Sequence, residues 1–401
     1  MSEAPLLVLG AGEEQVAIYQ EARRRGLPTV GVDMRADRPG IALADEFLQI
    51  STTDHHAIAE ALRGRRIAGV VSTAADTCLA SWHELSTELG APWRFPAAAV
   101  RVSTDKAEFH QLAAASGIPS YRWVQSDDLS AVAATAHSFR FPIVFKPADA
   151  SGGRGVHRAD SPSEVDAALQ YAARHSPRGQ VIAEEVLAGR NITVNVFLCG
   201  GELALSLITE KHTLPGPGFL IGGHTGPAEL DEVTEKALLD DAHQLCLAFD
   251  LVDGPANFDV ILAEDGTRYV LEVGARMSGN GFPSMVLAVS EVDWMAALVD
   301  LATGGPHPPM PSRSRPVRLH VLTSPLPGPG SVVAVGGLER VSALPGVAAV
   351  EVFVAPGDTV QPFTEAGRKL GWIVVGADRH DQLEPRLAAA VRELGLVIVP
   401  S

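Results

Sequence analysis

Residues 257–273, NFDVILAEDGTRYVLEV, alternate apolar and polar side chains on either side of Asp265-Gly266. Asp-Gly between two alternating runs signals a hairpin, because the pair accepts the positive φ angles of a two-residue type I′ turn. Such a turn sets Glu264 against Thr267 and, further along the two strands, Asp259 against Glu272. Alternation then puts Phe258, Val260, Leu262, Tyr269, Leu271 and Val273 on one apolar face and both acids on the other. Directly opposed residues hold their Cβ atoms roughly 5 Å apart. Two carboxylates that close repel unless a cation lies between them, and their hard oxygens suit Mg2+, an ion that keeps waters and bridges phosphates. The competing reading is a hairpin with two solvated surface acids.

The rest of the chain bounds what such a hairpin can belong to. At 401 residues it is too long for one hydrophobic core. A net charge of −16 argues against a nucleic-acid partner, whose phosphates need clustered Lys and Arg, but leaves room for a nucleotide held by a few converging basic residues. Cys78, Cys199 and Cys246 are far apart with no CxxC pair, which argues against a zinc site or disulfide framework and suits a reducing compartment. No apolar run reaches the roughly 18 residues of a membrane span. The expected setting is cytoplasmic, with no membrane partner.

The sequence divides into three parts: an α/β domain at 1–100, a core at 101–312 with a lid lobe at about 140–190, and an α+β module at 313–401. PLLVLGAGEEQVAIYQEARRRGLPTVGVD reads as strand, glycine turn, helix, strand, the start of a doubly wound sheet. STDKAEFHQLAAASGIPS is a helix capped by Ser103 or Thr104 and ended at Gly117. A hairpin turns at Gly200-Gly201, and TLPGPGFLIGGHTGP reads as a long binding loop or lid.

Several stretches carry chemistry. Gly10-Ala11-Gly12 with Asp33 begins a dinucleotide fingerprint, but Gln15 stands where the third glycine belongs, so a structural turn is expected. Lys146 ends an apolar strand and is followed by ASGGRGV, whose bare backbone can approach phosphate oxygens. Arg276 follows the second acid in a glycine-rich bend, where it could stabilise a developing oxyanion. Ser278, Gly279 and Asn280 are candidate pocket walls, and His224 lies within the long loop.

Taken together, these motifs resemble the ATP-grasp ligases along essentially the whole chain. The resemblance implies an ATP-grasp fold with mixed α/β and α+β parts, ATP between two lobes, and Mg2+ (or Mn2+) at Asp259 and Glu272. Lys106 and Lys146 match the phosphate-contacting lysines, and Ser151, Gly152, Gly153 and Gly155 the loop over the triphosphate. Glu184, Glu185 and Leu187 match the adenine-contacting segment. Asn191 stands where an acid commonly holds the ribose, and Gly274 where an Asn often joins the metal site. Arg276 and Lys146 take the catalytic roles, with His224, Arg276, Ser278, Gly279 and Asn280 toward substrate. The form E-x-G-A-R and the tail RVSALPGVAAVEVFVAPGDTVQP are similar to the L-amino-acid ligase subgroup. That implies a homodimer joining a small carboxylate, an amino acid, to an amine through an acyl phosphate. One alternative is a purine-pathway carboxylase or formyltransferase, which needs a basic phosphate pocket near Gly10–Glu14 and the C-terminal lobe. Another is an NAD(P)-dependent oxidoreductase built on the N-terminal unit.

Overall fold

The computed structural model describes residues 4–150, 152–216, 218–306 and 314–401; the expected boundary at 312/313 lies outside these. The N-terminal part is a parallel sheet in the order Glu46–Leu48, Thr29–Val32, Leu6–Leu9, Gly69–Val71. Leu6–Leu9 is buried along its whole length, as a parallel strand covered on both faces must be. Its first turn is closed by its own side chains. Ala11 N–H donates to Asp33 Oδ2 (3.1 Å), Gly12 N–H to Gln15 Oε1 (3.1 Å), and Gln15 Nε2 to the Thr73 carbonyl (2.6 Å). Asp33 is therefore spent on backbone, and the Gln15 side chain packs against Gly10 and Gly12.

A helix at Ala97–Thr104, begun after Pro96 and absent from the sequence expectation, absorbs Ser103 and Thr104. The cap of the next helix, Lys106–Ala115, is Asp105 instead, accepting from Ala107 N–H (3.0 Å) and Glu108 N–H (3.2 Å). A carboxylate also opposes the positive helix end more strongly than a hydroxyl can.

The lid lobe is a four-stranded antiparallel sheet in the order Trp123–Ser126, Val181–Glu185, Ile143–Pro147, His157–Ala159. Its separate core packs Phe145 and Val181 against Val132 and Leu169 of two helices. The larger sheet has eight strands: Arg268–Gly274, Gly254–Leu262, Arg190–Cys199, Glu202–Thr213, Ile221–Gly226, Val317–Leu322, Gly371–Gly376 and Val347–Val352. It runs without interruption from the acid-bearing hairpin into the C-terminal module. No helix among the described residues is long and apolar enough to cross a membrane.

Two expectations change here. The stretch expected as one long loop is partly strand, Ile221–Gly226, in the middle of this sheet. Its glycines reflect tight strand contacts: a Cβ at Gly223 would lie 2.0 Å from the Leu319 carbonyl oxygen. The acid hairpin also turns differently. Gly266 N–H donates to the Ala263 carbonyl and Ala263 N–H to the Thr267 carbonyl, so the loop holds three residues and ends on Gly266 at φ 83°. That pairs Leu262 with Arg268 and Val260 with Val270, one residue out of the expected register. A bulge at Leu271 then restores it, and Asp259 faces Glu272 as expected. Val270, Val273 and Gly274 are the buried residues of that strand, while Leu271 turns to the cleft and Tyr269 is only half-buried.

Candidate active site

A cleft of about 520 Å³ lies between the two sheets, and the opposed acids stand on its floor. Asp259 Oδ1 accepts from Thr193 Oγ1 (3.1 Å), and Oδ2 lies 2.5 Å from Lys211 Nζ. Glu272 Oε2 is 3.5 Å from Lys106 Nζ. Partial burial alone would raise the Glu272 carboxyl, but Lys106, Lys146 and Lys211 overcome it and hold the group well below the usual carboxylate range. The donor set fits Mg2+. Both acids offer hard oxygens to the cleft, and among the described residues no third His, Cys, Asp or Glu completes a cage. The remaining positions would be left to phosphate and water, as this ion prefers. Lys211 escaped the sequence reading, because its strand bulges between Leu203 and Leu205 and its facing cannot be counted from the turn.

Lys146 reaches from the end of the Ile143–Pro147 strand to Glu184 Oε2 at 2.5 Å. The other Glu184 oxygen accepts from Tyr121 Oη (2.8 Å) and lies 3.0 Å from His110 Nε2. The Glu184 side chain is thus tied to Lys146, while the residue still lines the cleft. Burial would push its carboxyl up; Lys146 and then His110 more than offset this and hold it far below its usual range. The sign follows: the depressed folded value gives stability present above the unfolded carboxylate range, near pH 4.3, and lost as pH falls toward the folded value. A carboxyl-carbon NMR titration is expected to find Glu184 still ionised at about pH 3; a midpoint near 4.3 contradicts the pairing.

Glu185, Leu187 and Asn191 also line the cleft where the lobes join. The Glu185 carboxylate accepts from Arg140 N–H (2.8 Å), which leaves backbone as its way to contact a base. Gly152, Gly153 and Gly155 all adopt φ near +70°, a region glycine enters freely. Ser151 lies outside the described residues. Ala366 of the C-terminal module donates its N–H to the Gly152 carbonyl (3.0 Å), so the loop rests across the cleft.

Beyond the acids, Arg276 Nη2 donates to Asp76 Oδ2 (2.8 Å). Gly274 explains itself at this point: a Cβ there would lie 2.8 Å from Arg276 Cζ. The guanidinium occupies the room that a side chain at position 274 would need. Gly274→Ala is expected to lower kcat about tenfold while sparing the KM for ATP, from the 1–3 kcal/mol typical of overpacking. An unchanged kcat would show that Arg276 can shift freely. Ser278 Oγ donates to Asn195 Oδ1 (2.7 Å), and Asn280 N–H to Glu14 Oε1 (2.7 Å). Gly279 packs so that a Cβ would meet Ala74 and Glu14. His224 borders the cleft but is buried on its strand, with Nδ1 3.1 Å from Thr209 Oγ1. Burial, then Lys211, His212 and Arg318, lower its pKa to about 3, so its ring is neutral.

A family model described as an ATP-grasp domain matches residues 139–284, and one described as L-amino acid ligase C-terminal domain 2 matches residues 323–399. The chain has the ATP-grasp fold, with the matched domain in its core. It shares this fold with an L-amino acid ligase from Bacillus licheniformis, at a TM-score of 0.82 and 20% identity over 100% of this chain and 99% of that one. It is 27% identical to human carnosine synthase 1 over 79% of its own length but only 41% of that protein's. It is 23% identical to the formate-dependent phosphoribosylglycinamide formyltransferase of Syntrophotalea carbinolica, over 98% of this chain and 96% of the other.

Proposed function

We propose that the protein is an ATP-dependent ligase that joins the carboxylate of an amino acid to an amine, releasing ADP and phosphate. The reading is carried by the opposed Asp259–Glu272 pair on the cleft floor, with Lys106, Lys146 and Lys211 around it and Arg276 beyond. A free carboxylate is a poor electrophile, and phosphorylation gives it a leaving group. Mg2+ held by Asp259 and Glu272 would neutralise charge on the phosphoryl oxygens. Lys106 and Lys146 orient the triphosphate, Arg276 steadies the acyl phosphate, and the glycine loop resting on Ala366 excludes water. Likeness to an L-amino acid ligase, in fold and in the C-terminal match, supports amino acids as substrates. The purine-pathway alternative asks for a basic phosphate pocket near Gly10–Glu14. That end of the cleft instead carries Glu14 and Asp76, and its lysine, Lys369, is paired with Glu14 at 2.8 Å. The closed first turn speaks against a nicotinamide cofactor.

The test is ADP and phosphate release with Mg·ATP across pairs of amino acids, with products weighed by mass spectrometry. One amide per ADP is expected for some pair. Release that depends on a ribotide, or no thermal shift with Mg·ATP, would overturn the reading.

A further inference from the structure

We infer that Asp76 holds the amine substrate and takes its proton, in a subsite that it shares with Glu14 and Lys369 and that accepts an amino acid as the nucleophile. This rests on the ligase reading above. Asp76 follows the parallel strand Gly69–Val71, at the carboxyl end of the N-terminal sheet, where open α/β sheets bind ligands. Ala74, two residues before it, holds φ at +55°, a strained value for a residue with a Cβ. The chain turns there so that Asp76 enters the cleft. One carboxylate oxygen, Oδ2, accepts from Arg276 Nη2 at 2.8 Å. The other, Oδ1, is buried, and among the described residues no group donates to it. A buried acceptor without a donor is rare and calls for a partner from outside the chain.

An ammonium fits that demand. Arg276, bonded to Oδ2, sets the Asp76 carboxylate beside the acyl phosphate, so an amine on Oδ1 is placed next to the carbon it must attack. On the same side, Gly279 packs between Ala74 and Glu14, joining the Asp76 segment to the Glu14–Lys369 pair. Lys369 Nζ has three N–H bonds; Glu14 takes one at 2.8 Å and the Ala366 carbonyl a second at 3.5 Å, which leaves one. Lys369 is therefore able to read a carboxylate on the incoming amine, which makes an amino acid the fitting class. The step balances. The ammonium gives one proton to Asp76, and the free amine's lone pair forms the C–N bond. The C–O bond to phosphate breaks with its electrons on oxygen. The second proton leaves nitrogen as the amide forms, so acyl phosphate and ammonium yield amide, hydrogen phosphate and one proton.

Two reactions of the full-length protein separate this from the ligase reading. Hydroxylamine, uncharged near neutral pH, traps the acyl phosphate as a hydroxamate without needing a base, whereas amide formation needs the amino acid deprotonated. Asp76→Asn, which keeps an oxygen for Arg276, is expected to lower amide synthesis by on the order of 10²-fold more than hydroxamate formation, the range of general-base losses. Asp76→Glu should restore part of it. Lys369→Met should raise KM for the amino acid but not for the corresponding amino-acid amide. Wild-type rates of amide synthesis in Asp76→Asn would overturn the proposal, as would equal loss of both products in a protein with an unchanged melting curve. An equal effect of Lys369→Met on amino acid and amide removes the carboxylate-reading role. If the wild type makes neither hydroxamate nor amide, the ligase reading itself has failed and this proposal falls with it.

Discussion

Glu272→Gln is expected to cut ATP turnover by on the order of 10²–10³-fold with the melting temperature unchanged. The carboxamide keeps the side chain's shape and can still meet Lys106, now 3.5 Å away, but it loses the charge that a divalent ion requires. Glu272 is 45% exposed, so its own share of folding stability is small. The loss therefore belongs to phosphoryl transfer. Substantial residual turnover in a folded variant, measured as ADP release, would remove the metal from these acids. Mg2+-dependent ADP binding, followed by calorimetry, should weaken in parallel.

Lys146→Met is expected to act on stability and on function together. Glu184 is 1% exposed and would be left without its ammonium, and breaking a buried pair from one side costs about 3 kcal/mol or more. His110 and Tyr121 remain as partners, which keeps the effect at the low end of that range. Adding Glu184→Gln removes the stranded charge, so the double variant should recover most of the stability in urea unfolding and none of the ATP turnover. Recovery of both would show that Lys146 only serves Glu184. No destabilisation in the single variant would show that the pair is absent in solution.

The acid pair is legible in the sequence because strand alternation is local, and because two departures from the ideal hairpin cancel before Asp259 and Glu272. The turn is one residue longer than Asp-Gly alone suggests, and the bulge at Leu271 restores the register. Leu271 and Tyr269 bear the consequence, since periodicity assigned them to the core face and the bulge turned them away. Lys146, the glycine loop and Arg276 were readable from short motifs. His224 was misplaced because glycine in a strand signals close contact as well as a loop, and the contacting carbonyl, on Leu319, is remote in sequence. Lys211, Asp76, Glu14 and Lys369 reach the cleft from separate elements, and their convergence is a tertiary fact with no local signature.

The eight-stranded sheet carries a further consequence. Strand Val317–Leu322 pairs with the strand that holds His224, so the nucleotide-binding half is not a detachable part. Cutting the chain after position 314 would bare a row of unpaired backbone donors and acceptors beside the cleft, a template for association between copies. Whatever the last segment contributes to choosing a substrate, it also seals the edge on which the rest depends.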